Sequence, residues 1–262
     1  MDITSDNNRF IGQAATWISG CSHLVVSTGA GVSQESGIPT FRDAGTGLWA
    51  SYDPMQLASV QGFSQDPKLV WEWYAWRRNK VYEARPNPGH LALARLESLV
   101  SRMTLVTQNV DGLHRRAGSG SPIELHGNIT RVKCFGGCGE MHENWSDEKY
   151  KGEIPPRCNS CGSLLRPDVV WFGEQLPEKA LHDAFHVAEN CDVILVVGTS
   201  GTVQPAASLP VVAQRGGARF IEVNPQPGAF AEPADILLTG KSGEILPLLV
   251  AEVERLGKGS KT

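Results

Sequence analysis

Five short, strongly apolar runs constrain the fold of this chain more than any other feature: HLVVST (23–28), MTLVTQ (103–108), CDVILVVGTS (191–200), ARFIEVN (218–224) and ADILLTG (234–240). CDVILVVGTS is apolar at nearly every position, and strands of that kind are buried on both faces, as in a parallel sheet covered by helices. Helical periodicity fills the segments between the runs. From Ser5 to Ser19, Phe10, Ile11, Ala14, Trp17 and Ile18 recur at helical spacing. Further helices are expected from Pro67 to about Glu83, from Gly89 to Val100 and over 177–190. Alternating strands and helices predict an α/β chain with a doubly wound parallel sheet.

One region interrupts the alternation. Between about Arg131 and Leu165 the chain is rich in glycine and cysteine and poor in branched apolar residues, which marks an inserted module. Cys134-x3-Cys138 is followed, after nineteen intervening residues, by Cys158-x2-Cys161, whereas Cys21 and Cys191 stand alone. Two short knuckles of thiolates suit a tetrahedral zinc ion, and a closed all-cysteine set leaves no position for a substrate water. The expected metal site is therefore structural, with His142 an alternative to one of the cysteines. Unbridged cysteines of this kind fit a reducing compartment. The 24 basic and 28 acidic residues give a net charge of −4 without a long basic run, so a nucleic-acid partner is not expected. No stretch approaches the roughly 20 apolar residues of a membrane helix, and the N-terminus lacks a basic, apolar leader. A soluble, cytoplasmic protein of 262 residues is the simplest expectation.

Parallel sheets place ligands outside the carboxyl ends of their strands, and here those ends carry small and polar residues. HLVVST runs into GAGVSQESGIPTFR (29–42), which is not GxGxxG but offers glycines that tolerate positive φ and a close backbone approach to phosphate. A tight turn alone would use Gly29 and Gly31 equally well. GTS (198–200) and EVN (222–224) end two further strands, and TQNVDGLH places Gln108, Asn109 and Asp111 at a fourth. Those side chains can orient a ribose or hold a carboxamide, or simply form an Asx-type turn into the next helix. In ELHGN (124–128), His126 is a structural histidine or a general base suited to neutral pH.

Taken together, GAGVSQESGIPTFR, TQNVDGLH, ELHGN, the paired cysteines, VVWFGE, GTS and EVN resemble, in order and spread, the sirtuin family of NAD-dependent protein deacylases. The resemblance covers essentially the whole chain, and no added targeting or regulatory domain is expected. It implies a Rossmann-like large domain (1–130 and 166–262) and a small zinc-ribbon module (about 131–165, with a helical part at about 45–85), with NAD and an acylated lysine of a protein substrate meeting between them. It implies a cofactor site built from Gly29, Ala30, Gly31, Phe41, Arg42, Gln108, Asn109, Asp111, Gly198, Thr199 and Ser200, with Asn224 and Ser242 near the adenosine. Phe41 would cover the nicotinamide end, and His126 would be the general base acting through a ribose hydroxyl. Free lysine, nicotinamide and an O-acyl-ADP-ribose are the implied products. The backbone from Val170 through Phe172 and Gly173 to Glu174 would pair with an extended substrate peptide as an added strand.

The stretch WEWYAWRRNK (71–80) bears on the acyl group. Tyr74 and Arg77 are three apart on a helix and share a face, where a phenol and a guanidinium can bind a carboxylate. By itself the stretch better suits a Trp-rich core helix, with Trp73 and Trp71 or Trp76 packed inside and Arg77 and Arg78 solvated. Tyr-x-x-Arg resembles the sirtuin branch that removes succinyl, malonyl and glutaryl groups, and Ala58 matches the small residue that widens that branch's acyl pocket. Rival readings are a deacetylase without acidic preference, protein ADP-ribosylation, a nicotinamide-dependent dehydrogenase and a non-catalytic binding protein.

Overall fold

A computed structural model describes residues 3–38, 53–230 and 232–259. Among them, β1 (Leu24–Thr28), β2 (Met103–Thr107), β3 (Ile123–Glu124), β7 (Val193–Val197), β8 (Arg219–Asn224) and β9 (Ile236–Thr239) form a six-stranded sheet in the order β3-β2-β1-β7-β8-β9. Every pairing in it is parallel. The five apolar runs are thus five of its six strands.

Period-two alternation divides the strand residues between two cores. Leu24, Val26, Leu105, Leu195 and Val223 face one side. They pack there against α1 (Ile3–Gly20), through Ala14 and Ile18, against α6 (Pro88–Glu97) and against α10 (Ser242–Gly259). Val25, Val106, Ile194, Val196 and Phe220 face the other side, beneath α8 (Glu178–Glu189) and α9 (Leu209–Arg215). β1 and β7 are buried at all five positions each, which explains why their sequences are almost purely apolar. At about 25 cal/mol per Å² of apolar surface, this two-sided burial is the main force holding the sheet.

The chain also forms a second, smaller sheet. Its three strands, β4 (Gly127–Cys134), β5 (Met141–His142) and β6 (Leu165–Val169), pair antiparallel in the order β5-β4-β6. Three helices lie against it: α3 (Pro54–Leu57), α4 (Val60–Gln65) and α5 (Pro67–Glu83). Pro67 opens α5 at its first turn, and the Asp66 side chain accepts from Leu69 N at 3.0 Å. The far end of α5 is held by Arg116 in α7 (Leu113–Ala117), which donates to the carbonyls of Val81 and Ala84. The helix expected over 89–100 ends at Glu97, where the Ser98 N–H closes on the Arg95 and Leu96 carbonyls.

Packing decides the place of most of WEWYAWRRNK. Trp71, Trp73 and Tyr74 are buried, with Trp71 in edge contact with Trp145 at 5.8 Å. Arg78, expected in solvent, is instead fully buried at 0 % exposure. Its Nε donates to the Ile129 carbonyl at 2.7 Å, and its guanidinium pairs with Asp147. The physical reason is non-local: the small sheet covers this side of α5 and supplies the acceptors, so the cation is buried with partners. No described helix is long and apolar enough to cross a membrane.

Candidate active site and metal centre

β1 and β7 are neighbours at the centre of the large sheet, yet the chain leaves β1 toward the α6 face and β7 toward the α9 face. Such a switch point opens a crevice at the strands' carboxyl ends. It is lined by α2 (Gly31–Gln34) with the preceding Gly29 and Ala30, and by Gly198, Thr199 and Ser200. Gly31 N donates to the Gly198 carbonyl at 2.8 Å and Gly29 N to that of Val197 at 3.0 Å. A Cβ at Gly29 would lie 2.8 Å from Gly198 O, and one at Gly31 2.8 Å from Gly198 Cα. Positive φ, one expected use of the loop's glycines, occurs at Gly37 (+75°) and, across the crevice, at Gly198 (+63°), but not at Gly29 or Gly31. Gly29 and Gly31 instead let two loops pass in contact.

The end of β2 joins this crevice. Gln108 N donates to the Thr28 carbonyl at 3.0 Å and Gln108 Nε2 to Thr199 Oγ1 at 3.3 Å. Asn109 Nδ2 donates to the Gly29 carbonyl at 3.0 Å and to Ser33 Oγ at 3.1 Å. Asp111 makes the Asx-type contact, accepting from Leu113 N at 2.9 Å, and with its other oxygen accepts from Ser33 Oγ at 2.7 Å. Burial pushes the Asp111 carboxyl up from its ordinary range, opposed by Leu113, Ser33 and the Arg116 charge.

Below this cluster lies a polar layer that sequence reasoning missed. His90 is 3.5 Å from Ser33 Oγ, and its ring centroid is 4.9 Å from that of His114. His114 Nε2 meets Thr28 Oγ1 at 3.0 Å, Thr28 Oγ1 donates to Thr107 Oγ1, and Thr107 Oγ1 accepts from Asn109 N. Burial lowers the pKa of His90 to about 4 and, with the His90 charge adding to it, that of His114 to about 3, so both rings are neutral at pH 7. No local pattern marks Ser33, His90 or His114, because their partners lie on other elements.

His126 stands between β3 and β4, part-buried, with Nδ1 2.8 Å from the Gln108 carbonyl. A carbonyl only accepts, so Nδ1 carries the proton and Nε2 keeps its lone pair. Burial lowers the pKa of His126, and the Gln108 bond partly offsets this. The ring is thus a neutral, fixed base beside the Asn109 segment. Gly127 follows it with φ +79°, where a Cβ would fall 2.2 Å from the Asp168 carbonyl of β6. Only glycine permits that crossing.

The His126 carbonyl accepts from Val170 N at 2.9 Å, and the Ala58 carbonyl accepts from Phe172 N at 2.9 Å, where Ser59 and Phe172 form a parallel bridge. Trp171 N donates to Glu174 Oε2 at 2.8 Å and Glu174 N to the Trp171 carbonyl at 3.0 Å. The amides of residues 170, 171, 172 and 174 are therefore already paired within the chain. Gly173 turns with φ +82°, and Phe172 is exposed. Ala58 is buried in the same cluster as Phe63, Trp73, Tyr74 and Trp171. The Tyr74 hydroxyl accepts from Trp171 Nε1 at 2.9 Å, and the Arg77 guanidinium carbon lies 4.8 Å from the Trp73 ring centroid and 5.8 Å from that of Tyr74. Burial lowers the Arg77 pKa, opposed by Tyr74 and Asp111.

At the positions expected near an adenosine, Asn224 Nδ2 donates to the Thr199 carbonyl at 2.7 Å and to the buried Glu222 at 2.9 Å. Ser242 opens α10, where its Oγ donates to Glu35 Oε2 at 3.2 Å. Phe41 and Arg42 lie outside the described residues.

At the end of β4, the Sγ atoms of Cys134, Cys138, Cys158 and Cys161 all lie within 4.8 Å of one another. The Cys134–Cys161 and Cys138–Cys158 pairs are 3.4 Å apart, too far for a disulfide, whose S–S length is about 2.05 Å. Zinc bound at about 2.3 Å would give sulfur–sulfur edges of about 3.8 Å, so the set fits one structural zinc. His142, the alternative ligand, is turned to Glu140 at 2.8 Å. Glu140 also accepts from Cys158 Sγ at 3.2 Å and Ser160 N at 2.9 Å, bracing the knuckle.

Comparison with known proteins agrees with this architecture. A model of the Sir2 family matches residues 29–205. An NAD-dependent protein deacylase 2 of Pyrobaculum aerophilum is 51 % identical over 241 residues, 92 % of this chain and 95 % of that protein. An NAD-dependent protein deacylase of Pyrococcus furiosus is 50 % identical over 250 residues, 95 % of this chain and its own full length. Among solved structures, a Sir2 homologue in complex with NAD superposes with a TM-score of 0.86 at 48 % identity, covering 94 % of each chain. The chain belongs to the Sir2, or sirtuin, family.

Proposed function

We propose that the chain is an NAD-dependent protein-lysine deacylase that favours acidic acyl groups, succinyl and malonyl, and also removes acetyl. The carrying observation for deacylation is His126, held through Nδ1 by the Gln108 carbonyl with Nε2 left as base, next to the Asn109–Asp111 cluster. NAD, when bound, supplies the departing nicotinamide and the ribose that receives the acyl group. Asn109 and Asp111, braced by Ser33, would hold the nicotinamide and ribose end together with Phe41 and Arg42. Gly29, Ala30, Gly31, Gln108, Gly198, Thr199 and Ser200 would line the phosphates and ribose, with Asn224 and Ser242 at the adenosine. His126 Nε2 would take the proton from a ribose hydroxyl chain.

The acidic preference is supported by Tyr74 and Arg77, which set a phenol and a guanidinium side by side, with Ala58 in the same buried cluster as Tyr74. A substrate peptide would add as a strand at Val170, Phe172 and Gly173, using the Gly173 N–H and the carbonyls of that segment, since the neighbouring amides are occupied. We assign the large domain to 1–130 and 166–262, and the zinc-binding module to about 131–165 with the helical part at about 45–85.

One incubation with NAD and equal amounts of succinylated and acetylated peptide, followed by mass spectrometry, tests both levels. Nicotinamide and O-acyl-ADP-ribose should appear, with the succinyl product ahead. An acetyl product formed as fast would remove the acidic preference and leave the deacylase standing. Absorbance of reduced cofactor in place of nicotinamide release would point to a dehydrogenase and overturn both.

A further inference from the structure

One hydrogen bond at the acyl end has its direction fixed by chemistry. An indole N–H can only donate, so the 2.9 Å contact from Trp171 Nε1 makes the Tyr74 hydroxyl the acceptor. One lone pair of the phenol is thereby occupied, and its proton must be offered to a different group. Trp171 cannot swing away. It is 2 % exposed, the Arg166 guanidinium carbon lies 3.3 Å from its ring centroid, and Phe63 packs at 5.3 Å. Its backbone N–H is bonded to Glu174, which is itself paired with Arg166. Tyr74 is 1 % exposed and in edge contact with Trp73 at 4.6 Å, and the Arg77 guanidinium sits near both rings.

We infer that Trp171 is a positioning residue for acyl specificity: its indole N–H locks Tyr74 as a hydrogen-bond donor, so that the phenolic O–H and the Arg77 guanidinium together receive the carboxylate of an acidic acyl chain. The inference rests on the acidic-acyl reading above. A carboxylate is acceptor-only, so a phenol free to turn its lone pair inward would repel it, whereas one held as a donor adds to the guanidinium. An acetyl group reaches this end with a methyl and has no acceptor for either donor. Trp171 thus acts on specificity through Tyr74, without contact with the acyl chain.

The test measures kcat and KM on succinyl- and acetyl-lysine peptides at saturating NAD for the wild type, Trp171→Phe, Tyr74→Phe and the double variant. Trp171→Phe should lower the succinyl-to-acetyl ratio of kcat/KM by about 3- to 10-fold, the worth of one neutral hydrogen bond, mainly through KM for the succinyl peptide. In the Tyr74→Phe background the same change should move the ratio no further, because the partner is already gone. If Trp171→Phe folds poorly, benzothienylalanine at position 171 replaces the N–H by sulfur within the same ring shape and should give the same shift. An unchanged ratio in these Trp171 variants, or losses that multiply in the double variant, would overturn the inference. If Tyr74→Phe and Arg77→Met themselves leave the ratio unchanged, the acidic-acyl reading fails instead.

Discussion

Replacing Arg77 by Met separates the acidic-acyl reading from general deacylation. The side chain is partly buried, and its guanidinium carbon lies 4.8 Å from the Trp73 ring centroid. Met keeps an unbranched apolar stem against that ring, so packing is largely retained and the charge is what leaves. Hydrogen bonds to a charged group contribute about 1.5–3 kcal/mol, which corresponds to a loss of about 10- to 150-fold in kcat/KM for a succinylated peptide. The acetylated peptide has no carboxylate to lose, and its kcat/KM should stay within a few fold. Steady-state rates on both peptides, with NAD saturating and the melting temperature recorded, provide the measurement. Equal losses on the two substrates would show instead that Arg77 supports the site as a whole and does not read the acyl carboxylate.

Further expectations follow from the same geometry. His126→Tyr should abolish turnover on every acyl peptide with little change in melting temperature; near-normal activity would refute the general-base role. The two inner histidines predict an acid limb of stability. His90 and His114 titrate at about 4 and about 3 in the fold against 6.5 when unfolded, so the unfolded chain takes up protons first. Stability from these groups is therefore complete above pH 6.5 and lost progressively as pH falls through about 4 for His90 and about 3 for His114. Denaturant midpoints at pH 7, 6 and 5 should decrease in that order, and flat midpoints would count against neutral, buried rings. Removing zinc with a chelator should raise hydrogen exchange across 131–165 first and reduce activity only as that module opens; a metal-free protein with unaltered exchange and melting would refute a structural zinc.

The sequence by itself determined the large sheet and the metal centre. Its apolar runs mark five of the six strands because a strand buried on both faces needs apolar residues at nearly every position. The paired cysteines mark their centre because two short knuckles bring four thiolates together by local geometry. Those signals are local, and they survive being read along the chain. Tertiary structure alone decided the rest. The Trp171–Tyr74 bond joins residues 97 apart, and the Arg78–Asp147 pair joins residues 69 apart. Ser33 reaches both Asn109 and Asp111 from another strand end, and Gly29 and Gly31 are small because they touch Gly198. WEWYAWRRNK shows the division: its helical period was legible, but which arginine is buried depended on the sheet packed against it. A hydrogen bond between distant segments leaves no periodicity in either one, since each donor or acceptor is chosen for a partner that only folding brings near.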